Sequence, residues 1–165
     1  MKRLGGTFVL ILVTGPLAAQ TTGHSRPWML SAGALTYRIS ELNGWGIGPA
    51  AGARRRVHKA IHFDMNAGAL LSSSGFYDFG GLALDVGAVL VHAGRSIDAG
   101  IGVGIASVAG GDSDGTGGGW IGGYLSGQGT VWFAPRVGLT LRAAYRELST
   151  GRSSPSISLL LAFRP

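Results

Sequence analysis

Cysteine is absent from this 165-residue chain, and charged residues make up only 13% of it. The first absence removes disulfide staples, thiolate metal sites and a cysteine nucleophile, so the fold rests on backbone pairing and packing. The second sets the chain apart from ordinary soluble domains, in which about a quarter of the residues are charged. Long apolar runs are missing as well: the stretch from Gly80 to Gly94 contains Asp85, and the next begins at Arg95 and contains Asp98. A helix that crosses a bilayer wants ~20 apolar residues, whereas a strand that crosses in a barrel needs only ~9 to 11. What is plentiful is glycine, 30 residues, together with 45% hydrophobic residues and a mean hydropathy of +0.29. Such a chain is too apolar to stay disordered. Its length fits one domain.

The amino terminus has the three parts of a secretory signal peptide: Lys2 and Arg3, an apolar centre from Phe8 to Val13, and the approach Pro16-Leu17-Ala18-Ala19. The apolar centre is too short to be an anchoring helix. Residues 1–19 are therefore expected to be removed on export, leaving 20–165 as the mature domain. Losing Lys2 and Arg3 takes the formal charge from +6 to +4, so the pI near 10.5 overstates how basic the mature protein is. The dense basic run Arg54-Arg55-Arg56-Val57-His58-Lys59 reads as a charged turn. A nucleic-acid partner would need a basic face with interleaved aromatics, and none is expected for an exported protein.

The recurring period is two. From Ser96 to Ala106, Ile97, Ala99, Ile101, Val103 and Ile105 share one face, opposite Asp98, Gly100, Gly102 and Gly104. From Ala60 to Leu71, Ile61, Phe63, Met65, Ala67, Ala69 and Leu71 oppose His62, Asp64, Asn66 and Gly68. Val137, Leu139, Leu141, Ala143 and Tyr145 oppose Gly138, Thr140, Arg142 and Arg146, and the last segment sets Ile157, Leu159, Leu161 and Phe163 against Ser156, Ser158 and Ala162. Weaker alternation fills the gaps. Trp28–Ser40 sets Leu35, Tyr37 and Ile39 as the apolar face against Ala34, Thr36 and Arg38; Gly44–Ala53, Gly81–His92 and the irregular Trp120–Phe133 complete eight expected strands.

Links rich in Gly, Ser, Asp and Asn (Glu41–Gly44, Ser72–Asp78, Gly110–Gly119, Leu148–Pro155) alternate with tight ones (Arg54–Lys59, His92–Ser96, Ala134-Pro135). Short turns at one end, longer loops at the other and an even strand count are the pattern of a membrane barrel. A soluble barrel would put its apolar face inside and charge outside. Here the polar face is mostly glycine, alanine and serine, suited to lining a narrow interior. Trp28, Tyr37, Trp45, Phe76, Tyr77, Phe79, Trp120, Tyr124, Trp132, Phe133, Tyr145 and Phe163 fall mainly near strand ends, where interfacial girdles are expected.

Signal peptide, eight alternating strands, alternating links and a final strand Ser156–Phe163 together resemble the small outer-membrane barrels of the OmpA/OmpX kind. The chain departs from them in adding Arg164 and Pro165 after the terminal aromatic. The resemblance implies an all-β, eight-stranded antiparallel up-and-down transmembrane barrel. It further implies a monomer, a bacterial outer-membrane location, and outer-membrane lipids and the barrel-assembly machinery as partners.

Asp64, Asp85 and Asp98 share the expected interior with Arg38, Arg142 and Arg146, and buried charges require partners. Two readings stand: a structural ion-pair network that seals the lumen, or a gated narrow pore. An acyl-transferring barrel would need a serine, a histidine base and an orienting carboxylate. His24, His58, His62 and His92 offer no such set, since His62 has Asp64 on its face but no matching serine. Neither a catalytic role nor a cofactor is expected. Gly110–Gly119 carries Asp112 and Asp114 but does not repeat as a calcium nonapeptide does, so it reads as a loop. A structural or surface-interaction role is expected, with a small-solute pore, a lipid-modifying enzyme and a soluble periplasmic lipid-binding barrel as rivals.

Overall fold

The computed structural model describes residues 27–38, 45–73, 78–112, 117–149 and 151–165; the expected signal peptide, His24, Phe76, Tyr77 and Asp114 lie outside them. Eight strands follow in order: β1 Trp28–Tyr37, β2 Gly46–His58, β3 Ile61–Ser73, β4 Asp78–Ala93, β5 Ile97–Asp112, β6 Gly117–Trp132, β7 Val137–Leu148 and β8 Arg152–Phe163. Each pairs antiparallel with the next, and β8 returns to β1 from Leu30↔Phe163 to Tyr37↔Ser156, closing the barrel. Closure satisfies the ladder hydrogen bonds that an edge strand would leave open.

Period-two patterning decides which side chains face in. In β7 the burial alternates without a break, with Thr140, Arg142, Ala144, Arg146 and Leu148 buried between exposed Leu139, Leu141 and Tyr145. On the outside, Ile47, Leu82, Leu90, Ile101, Ile105, Ile121 and Leu159 are each more than half exposed. Soluble monomers rarely expose so many apolar side chains along one continuous wall. The inward row is small for a geometric reason: large side chains from one strand lie over glycines of its neighbours. A Cβ on Gly46 would collide with the Tyr37 ring, and one on Gly104 would come within 2.8 Å of the Tyr124 ring.

Four sequence expectations are corrected. The faces of β1 are reversed: Leu35 and Tyr37 point inward and are buried, while Arg38 is exposed just beyond the strand. Leu35 and Tyr37 enter an apolar interior layer, where they pack with Leu70, Val108 and Tyr124. The run Arg54–Lys59 is not a turn, because β2 continues to His58 and reverses only at Lys59-Ala60. The last three outer links are shorter than expected, since β4, β5 and β6, of 16 residues each, and β8, which starts at Arg152, absorb most of the Gly- and Ser-rich segments, whereas the first spans 38–45, with Ile39 and Glu41–Gly44 outside the described residues. Tyr37, Tyr124 and Trp132 are interior residues, not girdle residues. Trp28, Trp45, Phe133, Tyr145 and Phe163 do lie exposed on the outer wall.

Candidate functional site in the barrel interior

Alternation on eight strands drives the inward polar residues into one narrow space. Asp85 on β4 is 1% exposed and receives two arginines from β7. Arg146 approaches it through Nε to Oδ1 at 2.7 Å and Nη2 to Oδ2 at 2.8 Å. Arg142 donates Nη2 to Oδ2 at 2.9 Å. The remaining Arg146 nitrogen donates to Ser156 Oγ at 2.8 Å, so the serines of β8 finish the guanidinium's shell. Such fork geometry is the arrangement that lets a buried arginine offset its desolvation.

A second cluster lies towards the end that carries both termini of the described barrel. Arg54 donates Nε to Asp64 Oδ1 at 3.0 Å and a terminal nitrogen to Gln128 Oε1, while Asn66 donates to the other Asp64 oxygen. At the mouth of that end, Trp132 Nε1 donates to Asp98 Oδ2 at 2.8 Å. Arg164 pairs with the same oxygen, and its guanidinium stacks 3.6 Å from the centre of the Trp132 ring. Thr130 and Thr140 share a 2.7 Å hydroxyl contact between these groups.

Apolar layers bound the polar ones on both sides. Leu35, Tyr37, Leu70, Ala83, Ala106, Val108, Tyr124 and Leu148 pack together towards the outer loops, with Ala50 and Trp120 against them. Met29, Trp132 and Ala162 pack at the opposite end. A cavity of about 10 Å³ remains beside Arg142 and Arg146, bounded by Leu35, Asn66, Gly68, Ala83, Ser158 and Leu160. That is about the room one water needs.

Of the interior charges expected from sequence, the structure brings Asp85, Arg142 and Arg146 into one cluster and gives Asp64 and Asp98 other partners. Arg38 joins none of these groups and is exposed. Arg54, Gln128 and Arg164 were missed. The signal for Arg54 was available: continuing the alternation Gly48, Ala50, Gly52 along β2 places it on the inward row, opposite Asp64 in the register. His62 lies inward at the start of β3, beside Arg56 and Val89 in the ladder, and among the described residues no hydrogen bond joins it to a serine or a carboxylate.

No protein-family model matches the chain, and neither does any curated relative. Solved structures do. Neisserial surface protein A superposes with a TM-score of 0.71 at 15% identity, over 84% of this chain and 97% of that one. Ail, the attachment invasion locus protein of Yersinia pestis, gives 0.58 at 13% identity over 82% and 96%; one of its structures holds the heparin analogue sucrose octasulfate. The N-terminal β-barrel domain of Pseudomonas aeruginosa OprF gives 0.59 at 11% identity over 84% and 98%. At these identities the likeness is one of architecture, and by architecture this chain is a small eight-stranded barrel of the outer-membrane type.

Proposed function

We propose that the protein is an exported outer-membrane barrel that acts through its surface, with a lumen closed by its own side chains. One observation carries this reading. Behind an outer wall of exposed apolar residues, the interior is occupied by paired charges between two apolar layers, and the void beside Arg142 and Arg146 has room for about one water. An eight-stranded barrel is just wide enough for side chains to fill. Tyr37, Leu70, Val108 and Tyr124 stand where a solute path towards the outer loops would run. The role left to such a molecule is to stabilise the membrane or to make contacts at the cell surface through the links 38–45, 74–77, 113–116 and 149–151. Residues 1–19 serve as the export signal, and the barrel-assembly machinery inserts the mature chain.

Ail binds a heparin analogue. By sequence, the strand ends on the side of the longer links hold Asp78, Asp112 and Glu147 as well as Arg38 and Arg152, a composition without the basic excess a polyanion would call for. An acyl-transfer role draws no support from His62, which among the described residues has neither a serine nor a carboxylate hydrogen bonded to it. The test is conductance: protein reconstituted into planar bilayers should leave the membrane silent. Reproducible single-channel steps would overturn the closed lumen in favour of a narrow pore.

A further inference from the structure

Exposed basic side chains gather at one end of the barrel axis. The end holding the turns 59–60, 94–96 and 133–136 carries exposed Arg55, Arg56, Lys59, Arg95 and Arg136. The side-chain carboxylates described in that half are buried and taken, Asp64 by Arg54 and Asp98 by Arg164. No basic cluster of that size stands at the other end, where the described charged side chains are Arg38, Glu147 and Arg152.

Arg55 gives this collar its direction. It sits on the outward row of β2, in register with Trp28 on one side and Phe63 on the other, both more than 40% exposed on the outer wall. Its guanidinium lies 5.4 Å from the centre of the Trp28 ring. An arginine framed by two aromatics at the rim of an apolar wall lies at headgroup depth, its stem along the acyl region and its fork free for a phosphate. One step along, the register of β2 shifts between Arg56 and His58. Such a bulge re-aims side chains at a barrel rim.

We infer that this collar selects anionic glycerophospholipid, phosphatidylglycerol in kind, in the leaflet facing the turns, with Arg55 as its central phosphate contact. The inference rests on the outer-membrane reading above. Spread around the rim, the collar sets about one basic residue against each headgroup, and one such residue contributes about 1 kcal/mol towards anionic lipid, a factor of about five.

The full mature protein is reconstituted into phosphatidylcholine vesicles holding a trace of spin-labelled phosphatidylglycerol or phosphatidylcholine, and the motionally restricted fraction of each label is measured. The same samples are run with and without boiling to score barrel closure. The expected result is a preference of about fivefold for phosphatidylglycerol. It should fall towards unity in Arg55→Gln/Arg56→Gln/Arg95→Gln/Arg136→Gln and partly in Arg55→Gln alone, and persist in Arg38→Gln. A heat-shifting barrel with no preference, or one whose preference survives the fourfold change, overturns the collar while leaving the barrel standing. Cosedimentation with purified peptidoglycan through the same arginines, without lipid preference, would also overturn it. A sample with no heat shift overturns the barrel reading and this inference together.

Discussion

Arg146 grips Asp85 across the barrel from β7 to β4 with two hydrogen bonds, at 2.7 and 2.8 Å. Because these strands are not neighbours in the sheet, the pair ties opposite walls of the barrel together. The three groups are not equivalent. Asp85→Asn strips the counter-charge from both arginines, Arg146→Met leaves Arg142 on the carboxylate, and Arg142→Met leaves the two-bond contact intact. Removing one member of a buried pair costs about 3 to 5 kcal/mol. Urea unfolding in detergent micelles should therefore rank the losses Asp85→Asn, then Arg146→Met, then Arg142→Met. Equal, negligible losses would show that the cluster does not hold the barrel.

Gly46 and Tyr37 face each other in the β1–β2 register, and the tyrosine ring occupies the space a Cβ on Gly46 would take. Gly46→Ala should destabilise by about 1 to 3 kcal/mol, the usual range for overpacking. In a Tyr37→Ala background the same change should cost almost nothing, giving a clear coupling in a double-mutant cycle. Additive effects would mean that the ring does not lie over this glycine.

Leu141, 56% exposed, lies on the outward row in the middle of β7. If that wall faces acyl chains, Leu141→Lys should cost about 2 to 4 kcal/mol in vesicles, as a charge at the midplane does, and Phe163→Lys at the strand end far less. Refolding titrations into phosphatidylcholine vesicles measure both. A pair of indifferent substitutions would place the wall in water.

Much of this architecture was legible from the chain because alternation survives wherever the two faces differ in size as well as polarity. β3, β5, β7 and β8 set Ile, Leu, Val or Phe against Gly, Ser or charge, and their facing followed directly. β1 failed because its outward row, Ala32, Ala34 and Thr36, is smaller than its inward pair, Leu35 and Tyr37. Apolarity marks the outer wall only where the lumen is polar, and β1 enters an apolar layer of the lumen. The Arg54–Lys59 run failed for a related reason: three consecutive arginines hide the alternation that sends Arg54 in and Arg55 out. Pairing across the lumen, such as Arg54 with Gln128 74 residues away, depends on how the closed strands are staggered, and local sequence does not carry that information.

The account rests on a closed barrel seated in the outer membrane, and gel mobility of the protein from isolated outer membranes, with and without boiling, tests it most directly. The account predicts that the unboiled protein resists detergent and migrates as a compact species, shifting to its full apparent mass only after heating. A single mobility at both temperatures, with the protein recovered in the soluble periplasmic fraction, would contradict it.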